Sequence, residues 1–514
     1  MKLSRSHRIA LVILSGAAYA LLLPPFAWSP LAWVALVPLL IVLASESPTR
    51  AAAHGLLWAA TATIGVAWWF PAMLERYFEL PSALAWLGLL GLGVVVDGLP
   101  YAAFGVFVGW GTRRGVVNPI TLAAAWGLAE WLRANGSVAN PFAQLAYSQT
   151  GTPFDQAADL AGPYGLGMLI VAVNAAVAGL CLDTLGGPRP RRRLAWVGVV
   201  LLGTFVYGHA RLQQDFGHGE AVRVALVQGA IARELDWDRS LRDQRLDRYL
   251  ELTRQAASRE PAVVFWPEFA VDFYVQEATL QRARLLDGVR TFGADLVLGG
   301  SHYRRTSADG AETETEYFNS VYVVDSVGRL HTNRYDKRRL VPFAEYGPFG
   351  ELLRAKTAVY TPGREPTLLL SGGVLLGAFI CGEALYPEIS RELAIAGAEL
   401  LANPSNDYWF GHPHARAQQL QAASFRAIEN RRYLVRPTST GVSAVIDPHG
   451  RAVIRSRGEG PEVLHAELRP SSAVTPYHRI GERPIAAAAA WMTGAIGLGL
   501  RRGPSHPAHR EART

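Results

Sequence analysis

Long apolar runs constrain the fold of this chain more than any other feature of its sequence. Seven runs near membrane length lie in the first part of the chain, and an eighth lies close to its end. About 20 apolar residues cross the hydrocarbon core of a bilayer as a helix, and a longer run fits one tilted helix. The sequence therefore predicts an α-helical transmembrane bundle of about eight helices. The runs cover residues 9–28, 31–45, 54–73, 82–111, 117–134, 163–181, 194–209 and 485–500.

Composition agrees with a chain that lies partly in lipid. Half of the 514 residues are hydrophobic, 18% are charged, and the mean hydropathy is +0.12. The net charge of +7 comes from basic residues beside the apolar runs, which indicates a membrane and argues against nucleic acid as a partner. The two cysteines, Cys181 and Cys381, suggest no disulfide framework.

Basic residues between the runs predict how the bundle is oriented. They cluster at the N-terminus, at 113–114, at 189–193 and at 501–513, and eight spans put all four clusters on one side. The positive-inside rule makes that side cytoplasmic. The basic start and Ala18-Tyr19-Ala20 also fit a signal peptide, but the further runs favour an uncleaved first helix.

These patterns divide the chain into three segments. We expect a transmembrane bundle of seven helices over residues 1–210 and an outward-facing domain over 211–484. The last transmembrane helix and a cytoplasmic tail follow at 485–514. The chain would thus be a multi-pass membrane protein.

Between the last two runs, short β-branched runs alternate with amphipathic stretches, which predicts an α/β fold with a layered sheet. The strand candidates lie at 222–227, 262–266, 295–299, 320–324, 374–380, 399–402, 433–435 and 443–446. The helix candidates lie at 239–257, 277–292, 387–396 and 413–430.

Three reactive side chains stand out in this α/β segment. Glu268 follows the strand candidate at 262–266, Cys381 follows the one at 374–380, and Lys337 lies in a basic segment between them. Sites of α/β folds gather at strand ends. Taken singly, each has a plain structural interpretation as a packed thiol, a solvated lysine or an exposed carboxylate.

Taken together, the order Glu268, Lys337, Cys381 resembles the nitrilase superfamily of carbon–nitrogen hydrolases. The whole chain is similar to one branch of it, the apolipoprotein N-acyltransferases. The resemblance implies an αββα sandwich in which Glu268 is the general base, Lys337 stabilises the oxyanion and Cys381 is the nucleophile. One departure is Gly382, where many relatives carry an aromatic residue. The segments that carry the resemblance are Val227–Ile231, Tyr317–Ser320, Lys337–Tyr346, Asn403–Gly411, Arg426–Glu429, Leu23–Phe26 and Ala146–Gln149.

The resemblance also implies a location and a reaction. The chain would lie in the inner, cytoplasmic membrane, with residues 211–484 as a periplasmic catalytic domain. A phospholipid would donate an acyl group to Cys381 as a thioester, and the N-terminal diacylglyceryl-cysteine of a lipoprotein would accept it in a ping-pong reaction. The expected partners are therefore the phospholipid donor, diacylated apolipoproteins and membrane lipid. Neither a cofactor nor a metal is expected, and nothing demands more than a monomer.

Further candidates are secondary to these three. Glu345 and Glu383 are expected to support the site. A structural role, as surface carboxylates or carboxylates that brace a loop, explains both residues equally well. The expected substrate-binding residues are Trp237, Asn319, Tyr346, Ser405 and Trp409.

The apolar runs also contain ionisable residues, which by default are functional candidates at membrane depth. Glu130 and Arg133 are spaced to pair on one helix face, and Asp97 has no obvious partner in the sequence.

Two other functions stay open on the residues alone. A membrane-tethered amidase or nitrilase would use the same three groups, with water in place of the amine. A membrane protein such as a transporter with a degenerate nitrilase-like sensor domain would need none of them. Eight spans favour lipid substrates over the amidase, and the intact Glu268, Lys337 and Cys381 argue against the sensor.

Overall fold

The computed structural model describes residues 4–136, 138–182, 190–231, 241–306, 314–347, 359–458 and 460–502. The chain divides into two compact units, which are described separately. Residues 1–213 and 480–514 form the helical unit, and residues 214–479 form the sheet unit.

The helical unit contains a helix in each of the predicted apolar runs. Its helices are Arg5–Leu21, Val37–Ser45, Pro48–Val66, Phe70–Phe78, Ser82–Gly91, Gly98–Arg113, Pro119–Asn135, Ala158–Cys181, Pro190–Leu212 and Arg483–Arg501. The predicted long helix runs over Ser82–Arg113, with a π-helical turn at Leu92–Val96.

Among the described residues, fewer helices than predicted are long and apolar enough to cross a membrane alone. Ser82–Arg113, Pro153–Cys181 and Arg192–Leu212 qualify, which gives three spans where the sequence predicts about eight. A fourth is added if Pro48–Val66 and Phe70–Phe78, bent by 66°, are counted together. Other runs form shorter helices: Val37–Ser45 has 9 residues and is about 14 Å long at 1.5 Å per residue.

Asp97 has partners in the fold, which corrects the expectation from the sequence. Its carboxylate accepts hydrogen bonds from Thr63 Oγ1 at 2.6 Å and from Asn140 Nδ2 at 3.0 Å, and it lies 3.8 Å from an Arg133 guanidinium nitrogen. Arg133 thus pairs with Asp97 from another helix, whereas Glu130 accepts a backbone hydrogen bond at 2.8 Å from the segment that follows its helix. Folding supplies partners that sequence spacing along one helix cannot reveal.

The described part of the sheet unit contains two six-stranded sheets. The strands are β1 Val222–Gln228, β2 Val263–Phe265, β3 Asp295–Thr306, β4 Glu314–Val324, β5 Tyr335–Asp336, β6 Leu368–Ser371, β7 Val374–Ala378, β8 Leu400–Ala402, β9 Leu434–Arg436, β10 Ala444–Ile446, β11 Ala452–Arg455 and β12 Glu462–Leu468. The strand orders in the two sheets are β12-β1-β2-β3-β4-β5 and β11-β10-β9-β8-β7-β6. The middle strands β1, β2 and β3 are parallel, as are β7, β8 and β9.

Alternation along β1 shows how the layers stack. Val224 and Leu226 belong to a core shared with the second sheet, whereas Ala225 and Val227 pack into a core with two helices. Successive strand residues point to opposite faces, so the first sheet is covered by helices on one face and by the second sheet on the other. This confirms the predicted α/β sandwich. Its helices are Arg242–Ala257, Leu280–Phe292, Pro387–Ile395, Pro413–Asn430 and the short Pro476–Ile480.

Candidate active site

The three predicted reactive side chains are brought together at strand ends. Glu268 lies three residues beyond β2, Lys337 follows β5 directly, and Cys381 lies three residues beyond β7. They are only 2%, 2% and 6% exposed. The Cys381 sulfur interacts electrostatically with both Glu268 and Lys337. The sandwich thus buries a thiol, a carboxylate and an amine in one place.

Lys337 lies between two carboxylates. Its Nζ donates to Glu268 Oε1 at 3.2 Å and to Glu345 Oε1 at 2.9 Å. Asn319 Nδ2 bridges the same two oxygens at 2.7 and 3.0 Å, and the N–H of Val341 donates to Glu345 Oε2 at 2.8 Å. Burial disfavours the lysine charge, but the two carboxylates outweigh it and raise the pKa of Lys337. The lysine is therefore held as a cation.

Glu268 has the environment of a general base. Its Oε2 accepts a hydrogen bond from the N–H of Asn406 at 3.0 Å, and the same N–H also interacts with the Cys381 sulfur. Burial raises the pKa of Glu268, Glu345 adds to the rise, and Lys337 opposes it. A carboxylate of raised proton affinity beside a thiol can accept the proton of that thiol.

Cys381 occupies a strained turn. Its φ is +49°, in the left-handed region that a residue with a side chain rarely adopts, and its N–H donates to the Pro404 carbonyl at 2.9 Å. Burial, with a contribution from Glu268, raises the pKa of the Cys381 thiol to about 12. The resting group is therefore a neutral thiol at neutral pH, and it needs a base to become a nucleophile.

Glu383 ties the lysine loop to the cysteine turn. Its Oε1 accepts hydrogen bonds from the N–H groups of Arg338 and Arg339 at 2.7 and 3.0 Å. Its Oε2 accepts one from the N–H of Ile380 at 2.6 Å. Arg338 and Arg339 directly follow the candidate lysine, and Ile380 directly precedes the candidate nucleophile. A single buried carboxylate thus fixes the spacing between the two.

The predicted substrate-binding residues fall into three groups. Asn319 and Ser405 are fully buried, and their side chains bond to other groups of the site. Those contacts favour positioning over direct substrate contact. Tyr346 is half-buried on a loop, and Trp409 is half-buried in the short 3-10 helix Asp407–Phe410. Trp237 lies outside the described residues.

Close packing of the strand against the Glu268 turn depends on Gly299. A Cβ at Gly299 would lie 2.6 Å from the Glu268 Cα and 2.6 Å from the Pro267 carbonyl oxygen. Both are backbone atoms of the turn, so no side chain can move aside to make room. Glu268 can therefore occupy its position only because residue 299 of β3 is a glycine.

We expect Gly299→Ala to displace Glu268 and to lower both stability and activity. Overpacking of this kind costs about 1–3 kcal/mol, and a displaced base slows proton transfer further. The unfolding temperature and the catalytic rate of the purified variant measure the two effects. The matched control is Gly460→Ala, because a Cβ at Gly460 meets no atom within 4 Å. Gly373→Ala also meets no atom, but the φ of +79° at Gly373 would strain an alanine. Equal rates in Gly299→Ala and wild type would contradict the requirement.

A second buried cluster behind Cys381 was not anticipated from the sequence. It centres on Arg436, which is fully buried at the end of β9 and contacts Asn403, Asp407 and Gln419. The signal in the sequence was an arginine directly after a short apolar strand. No group of three or more His, Cys, Asp or Glu side chains is placed to hold a metal ion in the part of the chain that the structure describes.

The fold of the sheet unit matches a known protein family. Residues 223–476 match the family model of the carbon–nitrogen hydrolases. Among solved structures, a mutant of the Nesterenkonia AN1 amidase from the nitrilase superfamily is 22% identical, with a TM-score of 0.37, and covers 50% of this chain and 92% of its own. The family-model match, which spans the sheet unit, gives its class: a carbon–nitrogen hydrolase domain.

Matches outside the sheet unit and over the whole chain identify a particular family within this class. Residues 15–176 match the model of the apolipoprotein N-acyltransferase N-terminal domain. The apolipoprotein N-acyltransferase of Geobacter metallireducens is 32% identical over 511 residues, covering 96% of both chains. That of Methylococcus capsulatus is 32% identical over 514 residues, covering 96% of this chain and 97% of its own. The chain belongs to the apolipoprotein N-acyltransferase family and is an acyltransferase.

Proposed function

We propose that this enzyme transfers an acyl group from a phospholipid to the N-terminal diacylglyceryl-cysteine of lipoproteins, through a thioester on Cys381. The observation that carries the proposal is similarity over 96% of the chain to relatives named for this activity. The cluster of Glu268, Lys337 and Glu345 beside a buried thiol supports it, because acyl transfer needs a base, a cation and a nucleophile in one dry site.

In the first step the thiol becomes acylated. Glu268 takes the proton of Cys381 as the sulfur attacks the ester carbonyl, and a carbon–sulfur bond forms. Lys337 stabilises the negative charge that develops on the carbonyl oxygen; two of its three N–H donors face carboxylates, which leaves one for that oxygen. The carbon–oxygen bond then breaks, and the proton on Glu268 passes to the departing lysophospholipid.

In the second step the amine of the lipoprotein resolves the thioester. The amine attacks the thioester carbonyl, and Glu268 takes a proton from the attacking nitrogen. The carbon–sulfur bond breaks, the electron pair returns to Cys381, and the proton on Glu268 returns to the thiolate. The free thiol is regenerated, so two half-reactions alternate on one group.

The proposal includes the arrangement in the membrane. In addition to the three helices that can cross alone, we propose that the shorter apolar helices complete eight spans. Eight spans would place residues 211–484 on the periplasmic face of the inner membrane, with 1–210 and 485–514 supplying the spans and a cytoplasmic tail. The clusters of basic residues near the span ends support this orientation. The protein would act as a monomer on lipid substrates and would not bind nucleic acid.

The function is tested with the purified full-length protein in vesicles of one defined phospholipid. We expect a diacylated lipopeptide to gain the mass of one acyl group, detected by mass spectrometry, and the phospholipid to become its lyso form in equal amount. A free-cysteine peptide without the diacylglyceryl group is the matched acceptor control. Hydrolysis of a small amide such as butyramide without acyl transfer would instead support the amidase alternative.

We expect the transfer rate to fall at acid pH. The base must be deprotonated to accept the thiol proton, and burial raises the pKa of Glu268 above its ordinary value. Activity is therefore full above the raised pKa and is lost as the pH falls through it. kcat/KM measured from about pH 5 to 9 tests this, and Glu268→Gln should be slow and lack this acid limb. An acid limb unchanged in Glu268→Gln would assign the titration to another group.

A further inference from the structure

The buried guanidinium of Arg436 uses both of its terminal nitrogens fully. One donates to Asn403 Oδ1 and, at 2.6 Å, to Ser405 Oγ. The other donates at 2.7 Å to both Asp407 Oδ1 and Gln419 Oε1. Each terminal nitrogen of arginine carries two hydrogens, so four acceptors match four donors. Arg436 is therefore rigidly held at the end of β9, and it fixes what surrounds it.

Arg436 also decides which way two amides face. A guanidinium donates and never accepts, so the amide oxygens of Asn403 and Gln419 must point towards it and their nitrogens away. Asn403 Nδ2 then donates to the Cys381 carbonyl oxygen at 3.2 Å. Gln419 Nε2 donates to the Cys381 sulfur at 4.0 Å. Both oriented amides thus donate hydrogen bonds to Cys381, one to its backbone carbonyl and one to its reacting sulfur.

We propose that Gln419 is a hydrogen-bond donor to the Cys381 sulfur during acyl transfer, and that Arg436 is the positioning residue that aims this donor. The inference rests on the proposed function, because it gives the donor a role in forming and displacing the thioester. Gln419 is fully buried on the helix Pro413–Asn430, so no bulk water competes for its amide.

The charges around the sulfur explain why a neutral donor is useful. Glu268 and Asp407 destabilise a thiolate, and Lys337 is the cation that opposes them. These groups follow β2, β8 and β5, and Arg436 lies behind them on β9. Lys337 is itself shared between two carboxylates. An amide donor stabilises the thiolate without adding a charge that the buried site would have to balance.

The donor acts where sulfur carries negative charge. A thiolate accepts a hydrogen bond more strongly than a neutral thiol or a thioester. The contact therefore strengthens as Cys381 loses its proton, and again as the amine displaces sulfur from the acyl carbon. Loss of the donor should slow both half-reactions and leave substrate binding unchanged.

The test uses full-length enzyme with Cys181→Ala, so that Cys381 is the single thiol. Gln419→Met removes the donor at similar volume, and Gln421→Met on the same helix is the matched control. We expect alkylation of Cys381 by iodoacetamide at pH 8, and kcat for transfer, each to fall about tenfold in Gln419→Met with KM unchanged. Gln421→Met should retain wild-type rates.

Arg436 is tested by a double-mutant cycle. Arg436→Lys keeps the charge but offers three donors to four acceptors. The amide of Gln419 is then no longer held with its nitrogen towards the Cys381 sulfur. If Arg436 acts on the sulfur through Gln419, adding Gln419→Met to Arg436→Lys should slow alkylation no further. Wild-type alkylation and transfer in folded Gln419→Met would overturn the proposal, and this variant decides alone if Arg436→Lys does not fold.

The two proposals fail separately in this experiment. Alkylation needs neither phospholipid nor lipopeptide, so slow alkylation of Gln419→Met supports the donor even if the wild type transfers no acyl group. Transfer by the wild type together with unchanged alkylation and kcat in Gln419→Met supports the function and overturns the donor. The unfolding temperature of each variant shows that comparisons are made between folded proteins.

Discussion

Replacement of Cys381 by alanine should abolish acyl transfer, with a fall on the order of 10⁴-fold or more, as expected when a covalent nucleophile is lost. The wild-type enzyme incubated with phospholipid alone should gain the mass of one acyl group, and hydroxylamine should remove it, because a thioester is cleaved by that nucleophile. Cys381→Ala should gain nothing. Intact-protein mass spectrometry measures both results.

The second cysteine provides the control for this experiment. Cys181 is exposed in the helical unit, and Cys181→Ala should retain the transfer rate and the acyl adduct. A stable fold is expected for Cys381→Ala as well, since a thiol-to-methyl change removes one buried atom from a strained turn. Full activity in Cys381→Ala, or an adduct that requires Cys181, would remove the basis of the proposed mechanism.

Lys337→Met should destabilise the sheet unit and stop catalysis together. The ammonium group is 2% exposed and pairs with Glu268 at 3.2 Å and Glu345 at 2.9 Å. Methionine fills the space but leaves two carboxylates buried beside each other without a cation. Removing one partner of a buried pair costs about 3–5 kcal/mol. The unfolding temperature and the rate of thioester formation report the two consequences.

A double variant separates the two roles of the lysine. Lys337→Met/Glu345→Gln removes one unpaired charge, so part of the lost stability should return, because Asn319 still bonds to the remaining carboxylate. Activity should stay low, since no cation faces the developing oxyanion. If the double variant regained activity along with stability, Lys337 would have a structural role and not a chemical one.

The central strands were readable from the sequence and the edge strands were not. The predicted strands correspond to β1–β4 and β7–β10, whereas β5, β6, β11 and β12 were not singled out. Those four lie at the ends of the two sheets. Central strands are buried on both faces and form continuous apolar runs, but an edge strand such as β11 is largely exposed and lacks that pattern.

Part of the candidate site could also be predicted from the sequence, because two of its residues follow buried central strands. Glu268 and Cys381 follow buried strands, so their positions at strand ends could be predicted. Gln419 lies in the middle of a helix whose sequence has no unusual feature, and its contact with the sulfur depends on Arg436 from another strand. Residues that act through a neighbour distant in the chain leave no local pattern.

The sequence by itself determined the division into apolar helices and an α/β domain, because burial sets the period of hydrophobic residues along each element. It also supplied the reactive groups in their order along the chain. Only the tertiary structure decided that Lys337 is shared by two carboxylates, that Asp97 pairs with Arg133, and that Arg436 turns an amide towards the sulfur. Hydrogen bonds and ion pairs act over about 3–4 Å, and that proximity is created by packing between elements far apart in the chain.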